Sequence, residues 1–125
     1  MAAPNILSAT SIYGKTVGCE LNTTITQGIL TCASNKVLKI VSIIAANIDG
    51  GAGADVTVVF QDDSKTGNLG VNTIANTVNV PADASIIIVG KDAPIYLEES
   101  DEIRAGASAN GDIMLTVAYE ELDDA

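Results

Sequence analysis

Residues branched at the β-carbon are the feature that most constrains the fold of this chain. Valine and isoleucine number 26 and threonine 11 among the 125 residues, whereas leucine numbers only 8. β-Branched side chains lose rotamer freedom in a helix but pack well on the pleated surface of a strand. The composition therefore predicts an all-β protein.

Strand-like runs separated by turn residues recur along the sequence. We count about eight to ten of them at a spacing of roughly 8–14 residues, which is typical of an antiparallel sandwich. The Asn110-Gly111 pair favours a two-residue hairpin turn before a last strand over residues 113–119. We expect one jelly-roll-like β-sandwich domain over residues 1–125, with a short acidic C-terminal tail from Glu120 to Asp124.

The charge balance excludes several classes of protein. The chain has 16 acidic and 6 basic residues and no histidine, for a formal net charge of -10. Nucleic acid would be repelled by this charge, and the usual proton shuttle and commonest zinc ligand are missing. No serine or cysteine lies in a nucleophile motif. We therefore expect no catalytic residue, no cofactor and no metal, and we interpret the chain as a non-enzyme.

The apolar stretches are too short to cross a membrane. The most apolar one covers residues 40–48, whereas a spanning helix needs about 20 residues. The N-terminal residues 1–5 lack the basic and apolar regions of a signal peptide. We expect a protein that is made in the cytoplasm and has no membrane partner.

Two segments could bind calcium, and each has a simpler interpretation. Residues 50–55 resemble one calcium-binding nonapeptide, but the motif works in stacked arrays and is present once. A hairpin loop with glycine at positive φ is the alternative. Glu98, Glu99, Asp101 and Glu102 form the densest acidic cluster, for which an exposed turn is the alternative to a metal site.

Cys19 and Cys32 are the two cysteines, and they lie on consecutive apolar runs. They could be two buried thiols, a disulfide across a hairpin, or a reactive or metal-binding pair. We favour buried thiols, because two cysteines alone do not form a disulfide framework.

Two predicted strands, residues 37–47 and 85–89, are apolar on both faces. In the first, Val37, Val41 and Ile43 point one way and Leu38, Ile40 and Ile44 the other. A strand of an isolated sandwich usually has one face in water. We therefore expect a homo-oligomer, and the alternative is an internal strand covered by loops of the same chain. Its predicted interface consists of Val37, Val41, Ile43, Ile86, Ile87 and Ile88.

Short motifs at turns and strand ends resemble those of one group of viral proteins. They occupy residues 5–7, 13–16, 39–43, 46–50, 80–84, 94–99, 101–104, 107–112 and 118–121. Together they resemble small β-sandwich structural proteins of tailed bacteriophages, notably those infecting marine bacteria and cyanobacteria. The resemblance covers nearly the whole chain.

This resemblance implies a virion structural protein, with capsid decoration (cement) as the leading role. It further implies a homotrimer that is assembled in the host cytoplasm, bound to the major capsid protein and located in the virion. The predicted capsid contacts are Asn47, Asp49, Gly50, Gly51, Glu120 and Glu121. A tail, neck or fibre-tip protein is the alternative within the particle.

A carbohydrate-binding module is the alternative of another class. Such modules usually stack sugars on exposed aromatic side chains. The sequence has no tryptophan, one phenylalanine and three tyrosines, which disfavours this function.

Overall fold

A computed structural model describes residues 11–24, 28–63 and 70–123. Nine β-strands and no helix make up this part of the chain. The strands are β1 (Ser11–Glu20), β2 (Gly28–Thr31), β3 (Lys36–Asn47), β4 (Ala54–Gln61), β5 (Val71–Val80), β6 (Ser85–Val89), β7 (Ile95–Leu97), β8 (Glu102–Ala107) and β9 (Ile113–Asp123).

The strands form two antiparallel sheets that pack face to face. One sheet has the order β1-β9-β3-β6, with β7 also paired to β3, and the other has the order β2-β8-β4-β5. Because β7 pairs with residues 38–40 of β3 and β6 with residues 43–46, the two short strands follow each other along one edge. The predicted all-β, jelly-roll-like sandwich is confirmed.

The core between the sheets consists almost entirely of aliphatic side chains. Ile40, Ile43, Val56, Ile103 and Leu115 are fully buried in it. Each such side chain contributes roughly 1.5–3 kcal/mol relative to an exposed position. Because Ile43 lies in this core, its predicted place in an oligomer interface is wrong.

A β-bulge at Val41 explains why β3 looks apolar on both faces. The register between β3 and β9 shifts between Ile40 and Ser42, so Val41 is an extra residue. Before the bulge the even-numbered Leu38 and Ile40 face the core, and after it the odd-numbered residues do. Sequence alternation alone could not show this change of face.

Val37 was also predicted in the interface, and this prediction is wrong as well. Val37 is 7% exposed, and it pairs with Leu122, which is buried too. Both lie on the outer face of the five-stranded sheet and outside the core between the sheets. A residue this buried within its own chain has little surface left for a neighbour.

The predicted acidic tail is part of a central strand. β9 continues to Asp123 and pairs with β1 on one side and β3 on the other. Lys15 on β1 and Lys36 on β3 flank it: Glu121 Oε2 lies 3.1 Å from Lys15 Nζ and 3.3 Å from Lys36 Nζ. Lys36 Nζ also lies 3.0 Å from Asp123 Oδ2. The tail prediction failed because these lysines are distant in sequence.

Both cysteines are free thiols, but the favoured interpretation of two buried thiols holds only for Cys32. Cys32 is buried and lies 3.2 Å from the carbonyl oxygen of Lys36, whereas Cys19 on β1 is half-buried. Burial raises the pKa of the Cys32 thiol from 9.0 to about 11, and the negative charge of Asp101 adds to this effect. The thiol is therefore protonated and unreactive near neutral pH.

The raised pKa of Cys32 predicts a loss of stability in alkali. Between pH 9 and about 11 the thiol ionises in the unfolded chain but not in the folded one. This difference favours unfolding and lowers the free energy of unfolding by about 2 kcal/mol over that range. Urea unfolding at a series of pH values measures it.

Cys32→Ser removes this titration, and Cys19→Ser serves as the control that keeps it. Lys36 also loses stabilising contacts in alkali, because hydrogen bonds to Asp123 and Glu121 raise its pKa. That loss remains in both variants, so the difference between their pH profiles isolates Cys32. Parallel profiles would contradict the prediction.

Candidate assembly surface

The outer face of the five-stranded sheet carries few charges for so acidic a chain. Ile113, Leu115 and Val117 of β9 face the core, so the intervening residues and their cross-strand partners form the outer face. Its charged side chains in the described strands are Glu20, Lys39 and Glu120. Depletion of charge is typical of the centre of protein interfaces.

An apolar patch lies on the β3 and β6 side of this face. Ile44 pairs with Ile87, and Ala46 of the same strand pairs with Met114 of β9. Ile87 is 71% exposed, and the other three side chains are half-buried. We call Ile44, Ala46, Ile87 and Met114 the outer apolar patch. Ile48, which follows β3, is also exposed at its end.

Two glycines make the β1 side of the outer face flat. Gly14 pairs with Glu120 and Gly18 with Thr116. A Cβ atom built on Gly14 meets nothing within 4 Å, and one on Gly18 meets only the Leu115 carbonyl oxygen at 3.9 Å. Neither glycine has a positive φ. Nothing in the described fold requires glycine at these two positions. The backbone of another molecule packed closely against this face would require it.

β1 is itself a long and regular edge strand among the described residues. It pairs with β9 over ten residues with no register shift, and no other described strand pairs with it. Edge strands of monomeric proteins are commonly short, bulged or interrupted by proline. This regular edge borders the flat, weakly charged face.

The predicted contact residues of the β3–β4 loop have different roles. Asn47 is 3% exposed and therefore does not contact a partner. Its Nδ2 donates to the carbonyl oxygens of Ala52 at 3.0 Å and Val80 at 2.9 Å, and its Oδ1 accepts from the Asp49 N–H at 2.9 Å. Asn47 thus holds the loop from within.

The rest of this loop lies at the surface. Gly50 and Gly51 are exposed and Asp49 is half-buried. Gly51 N–H donates to Asp49 Oδ1 at 2.9 Å, which closes a turn. No glycine of the loop has a positive φ, contrary to the expectation for a hairpin loop. Asp49, Gly50 and Gly51 remain candidate contacts, next to the exposed Ile48.

Glu120 and Glu121 point to opposite faces because neighbours in a strand alternate. Glu120 lies on the outer face, and its Oε1 lies 4.0 Å from Lys39 Nζ. Its side chain is 45% exposed, whereas that of Glu121 is 14% exposed and bound by two lysines. Glu120 is available to a partner, whereas the carboxylate of Glu121, also a predicted capsid contact, is engaged within its own chain.

The remaining predicted interface residues are only partly at the surface. Ile86 and Ile88 are half-buried and pack against the core, and Val41 is half-buried at the bulge. Ile87 is therefore the one member of the predicted set with a largely exposed side chain. Ile44, Ala46 and Met114 of the outer apolar patch were absent from the predicted set, and the alternation of β9 could have indicated Met114.

The acidic cluster of residues 98–102 is a closed turn. Asp101 is buried, and its two carboxylate oxygens accept the N–H groups of Asp63 and Glu98, each at 3.0 Å. Across residues 11–24, 28–63 and 70–123, no three His, Cys, Asp or Glu side chains are grouped to hold a metal ion. The same ranges contain no helix long and apolar enough to span a membrane.

Comparisons with known proteins identify the fold. No protein-family model and no curated protein matches the sequence. A protein from the endospore appendages of Bacillus, described as disulfide-linked pili, is 18% identical with a TM-score of 0.50, covering 92% of this chain and 90% of that chain. A protein of the extra small virus of the prawn Macrobrachium rosenbergii, solved as a virus-like particle, is 13% identical with a TM-score of 0.49. This match covers 98% of this chain and 88% of that chain. The first likeness shows a common fold.

Proposed function

We propose that this chain is a non-enzymatic structural subunit that assembles with copies of itself, as a homotrimer, and decorates a viral capsid. The observation that carries the proposal is the outer face of the five-stranded sheet. It combines the outer apolar patch, two glycines that the described fold does not require, and few charges. Such a face favours close contact with another protein.

The charge of the chain makes this face important for assembly. A net charge of -10 opposes self-association, so contact is favoured only where the acidic groups are sparse or paired. Glu120 and Lys39 form such a pair on the face. The fold is compatible with this role, because a subunit of a pilus shares it.

In a decoration role, such a contact would stabilise the assembled capsid. A protein that binds across junctions of the assembled shell, and not to free subunits, stabilises the assembled state by mass action. The proposed capsid contacts are Asp49, Gly50 and Gly51 with the exposed Ile48, together with Glu120. The proposed partner is the major capsid protein, and the proposed location is the virion.

Ile87→Glu should weaken self-association. Sedimentation analysis of the wild-type chain should give three times the 12.8 kDa monomer mass. A carboxylate in the outer apolar patch should raise the dissociation constant at least about tenfold, because it would be desolvated without a partner. Val71→Glu, an exposed apolar residue on an edge of the other sheet, is the matched control.

Gly18→Ala checks the same contact without adding a charge. The variant should be slightly more stable as a monomer, by about 0.5 kcal/mol, because glycine weakens a strand. It should nevertheless associate less, because the added methyl group keeps a neighbouring backbone away. A wild-type chain that stays monomeric at all concentrations would refute the homotrimer.

The copy number in purified virus particles tests the decoration role. Quantitative mass spectrometry against the major capsid protein should give a ratio near one or one third. A few to a few dozen copies per particle would instead indicate the tail or neck. Absence from particles would refute the virion assignment altogether.

A further inference from the structure

A recess of about 370 Å³ lies on the other side of the sandwich, on the outer face of the four-stranded sheet. Most of its exposed lining surface is apolar, but several lining side chains carry a hydroxyl, amide or carboxylate group. These are Thr23, Asp55, Thr57, Asn76, Thr77 and Ser108. Its volume is at the lower end of the range of about 300–1,000 Å³ for ligand pockets, which suits one or two sugar rings.

Thr57 of β4 lies at the centre of the recess. On one side it pairs with Gly106 of β8, whose missing side chain leaves the space open. On the other side the register between β4 and β5 shifts, so Asn76 and Thr77 both lie opposite Thr57. The recess is therefore built by a glycine and a bulge in neighbouring strands.

Thr77 has a backbone conformation that costs energy. Its φ is 46°, which is unusual for a β-branched residue. A hydrogen bond from the Thr77 N–H to Thr57 Oγ1 at 2.9 Å holds this conformation. Strained residues of this kind concentrate at binding sites, and this one lines the recess.

Asp55 and Ser108 form the opposite wall. The Asp55 N–H donates to Ser108 Oγ at 2.8 Å, and the Ser108 N–H donates to the Asp55 carbonyl oxygen at 2.9 Å. Asp55 Oδ1 accepts from Asn79 Nδ2 at 3.2 Å. A carboxylate has about four acceptor sites, so Asp55 keeps capacity for ligand hydroxyls.

We propose that this recess binds a neutral carbohydrate. Threonine and serine hydroxyls both donate and accept, and a carboxylate can accept from two adjacent sugar hydroxyls. Ala107 and the threonine methyl groups offer apolar surface to the C–H groups of a sugar. Among the described residues, the lining includes no aromatic ring for a nucleobase and no cation for an anion.

The recess is separate from the surface proposed for assembly. The recess and the outer apolar patch lie on opposite sheets, so the recess stays open when the patch is covered. Without an aromatic platform, binding rests on hydrogen bonds, which explains how a chain poor in aromatic residues can bind sugar. We expect a dissociation constant of about 1 mM, typical of a small polar ligand held without stacking.

Amide NMR titrations of the whole chain test the proposal. The probes are methyl α-D-glucopyranoside, methyl β-D-galactopyranoside and methyl α-D-mannopyranoside. The concentration of each is raised to about 50 mM, well above the expected dissociation constant. At least one should give saturable shifts of the Thr57, Thr77 and Gly106 amides. Absence of saturable shifts with all three would overturn the proposal.

N-acetylneuraminic acid and methylammonium chloride test the ligand class. The anionic sugar should not bind, because Asp55 would repel its carboxylate. Saturable binding of methylammonium in place of the neutral sugars would identify a site for amines and refute the carbohydrate assignment.

Asn76→Ala should weaken binding of the sugar about five- to tenfold, the effect of a lost hydrogen bond to a neutral group. Asn72→Ala, at an exposed position of the same strand outside the recess, should bind like the wild type. Equal weakening in both variants would show that the shifts do not arise from the recess.

Discussion

Asn47→Ala should lower the free energy of unfolding by about 3 kcal/mol, and Asn47→Asp should lower it further. The alanine variant leaves the buried carbonyl oxygen of Val80 and the carbonyl oxygen of Ala52 without their donor. The aspartate variant places a carboxylate against these oxygens, where it is both desolvated and repelled. Urea unfolding of each variant measures the loss.

Asn76→Ala is the matched control, because it removes an exposed amide from a strand of the same fold. We expect a change within about 0.5 kcal/mol of the wild type. The Asp49 and Gly51 amides should also exchange hydrogen faster in Asn47→Ala, since the loop loses its internal support. A change at Asn47 as small as that at Asn76 would contradict the assigned role.

Glu121→Lys should destabilise the fold by about 2 kcal/mol or more, whereas Glu120→Lys should change it little. The first variant removes the carboxylate that binds Lys15 and Lys36 and brings a third ammonium group beside them. The second changes a side chain that is 45% exposed and 4.0 Å from Lys39. Thermal and urea unfolding of the pair give the comparison.

Glu120 and Glu121 are adjacent and identical in type. Both variants therefore change the net charge equally and in nearly the same local sequence, so these effects cancel when the two variants are compared. A solvated tail predicts equal, small effects at both positions. A larger effect at Glu120 than at Glu121 would mean that β9 does not have the register described here.

The sheet architecture followed from local patterns in the sequence. β-Branched runs, the Asn110-Gly111 turn and the alternation of residues 113–119 each depend on a few neighbouring residues. The jelly-roll-like sandwich could therefore be predicted.

The errors at the candidate site arose where distant parts of the chain meet. The bulge at Val41 is defined by pairing with β9, and no local residue marks it. The lysines that hold Glu121 in a strand lie 106 and 85 positions away. The left-handed conformation of Thr77 likewise depends on the register with β4, since threonine does not favour it on its own.

The central place of β9 has a consequence for how the chain folds. β9 lies between β1 and β3, so the five-stranded sheet lacks its middle member until β9 has left the ribosome. Such non-local pairing slows folding, and unpaired strand edges promote aggregation meanwhile. The nascent chain therefore exposes the edges of β1 and β3 that β9 later covers until β9 has emerged. Yield during expression should depend on the rate of translation and on chaperones that cover strand edges.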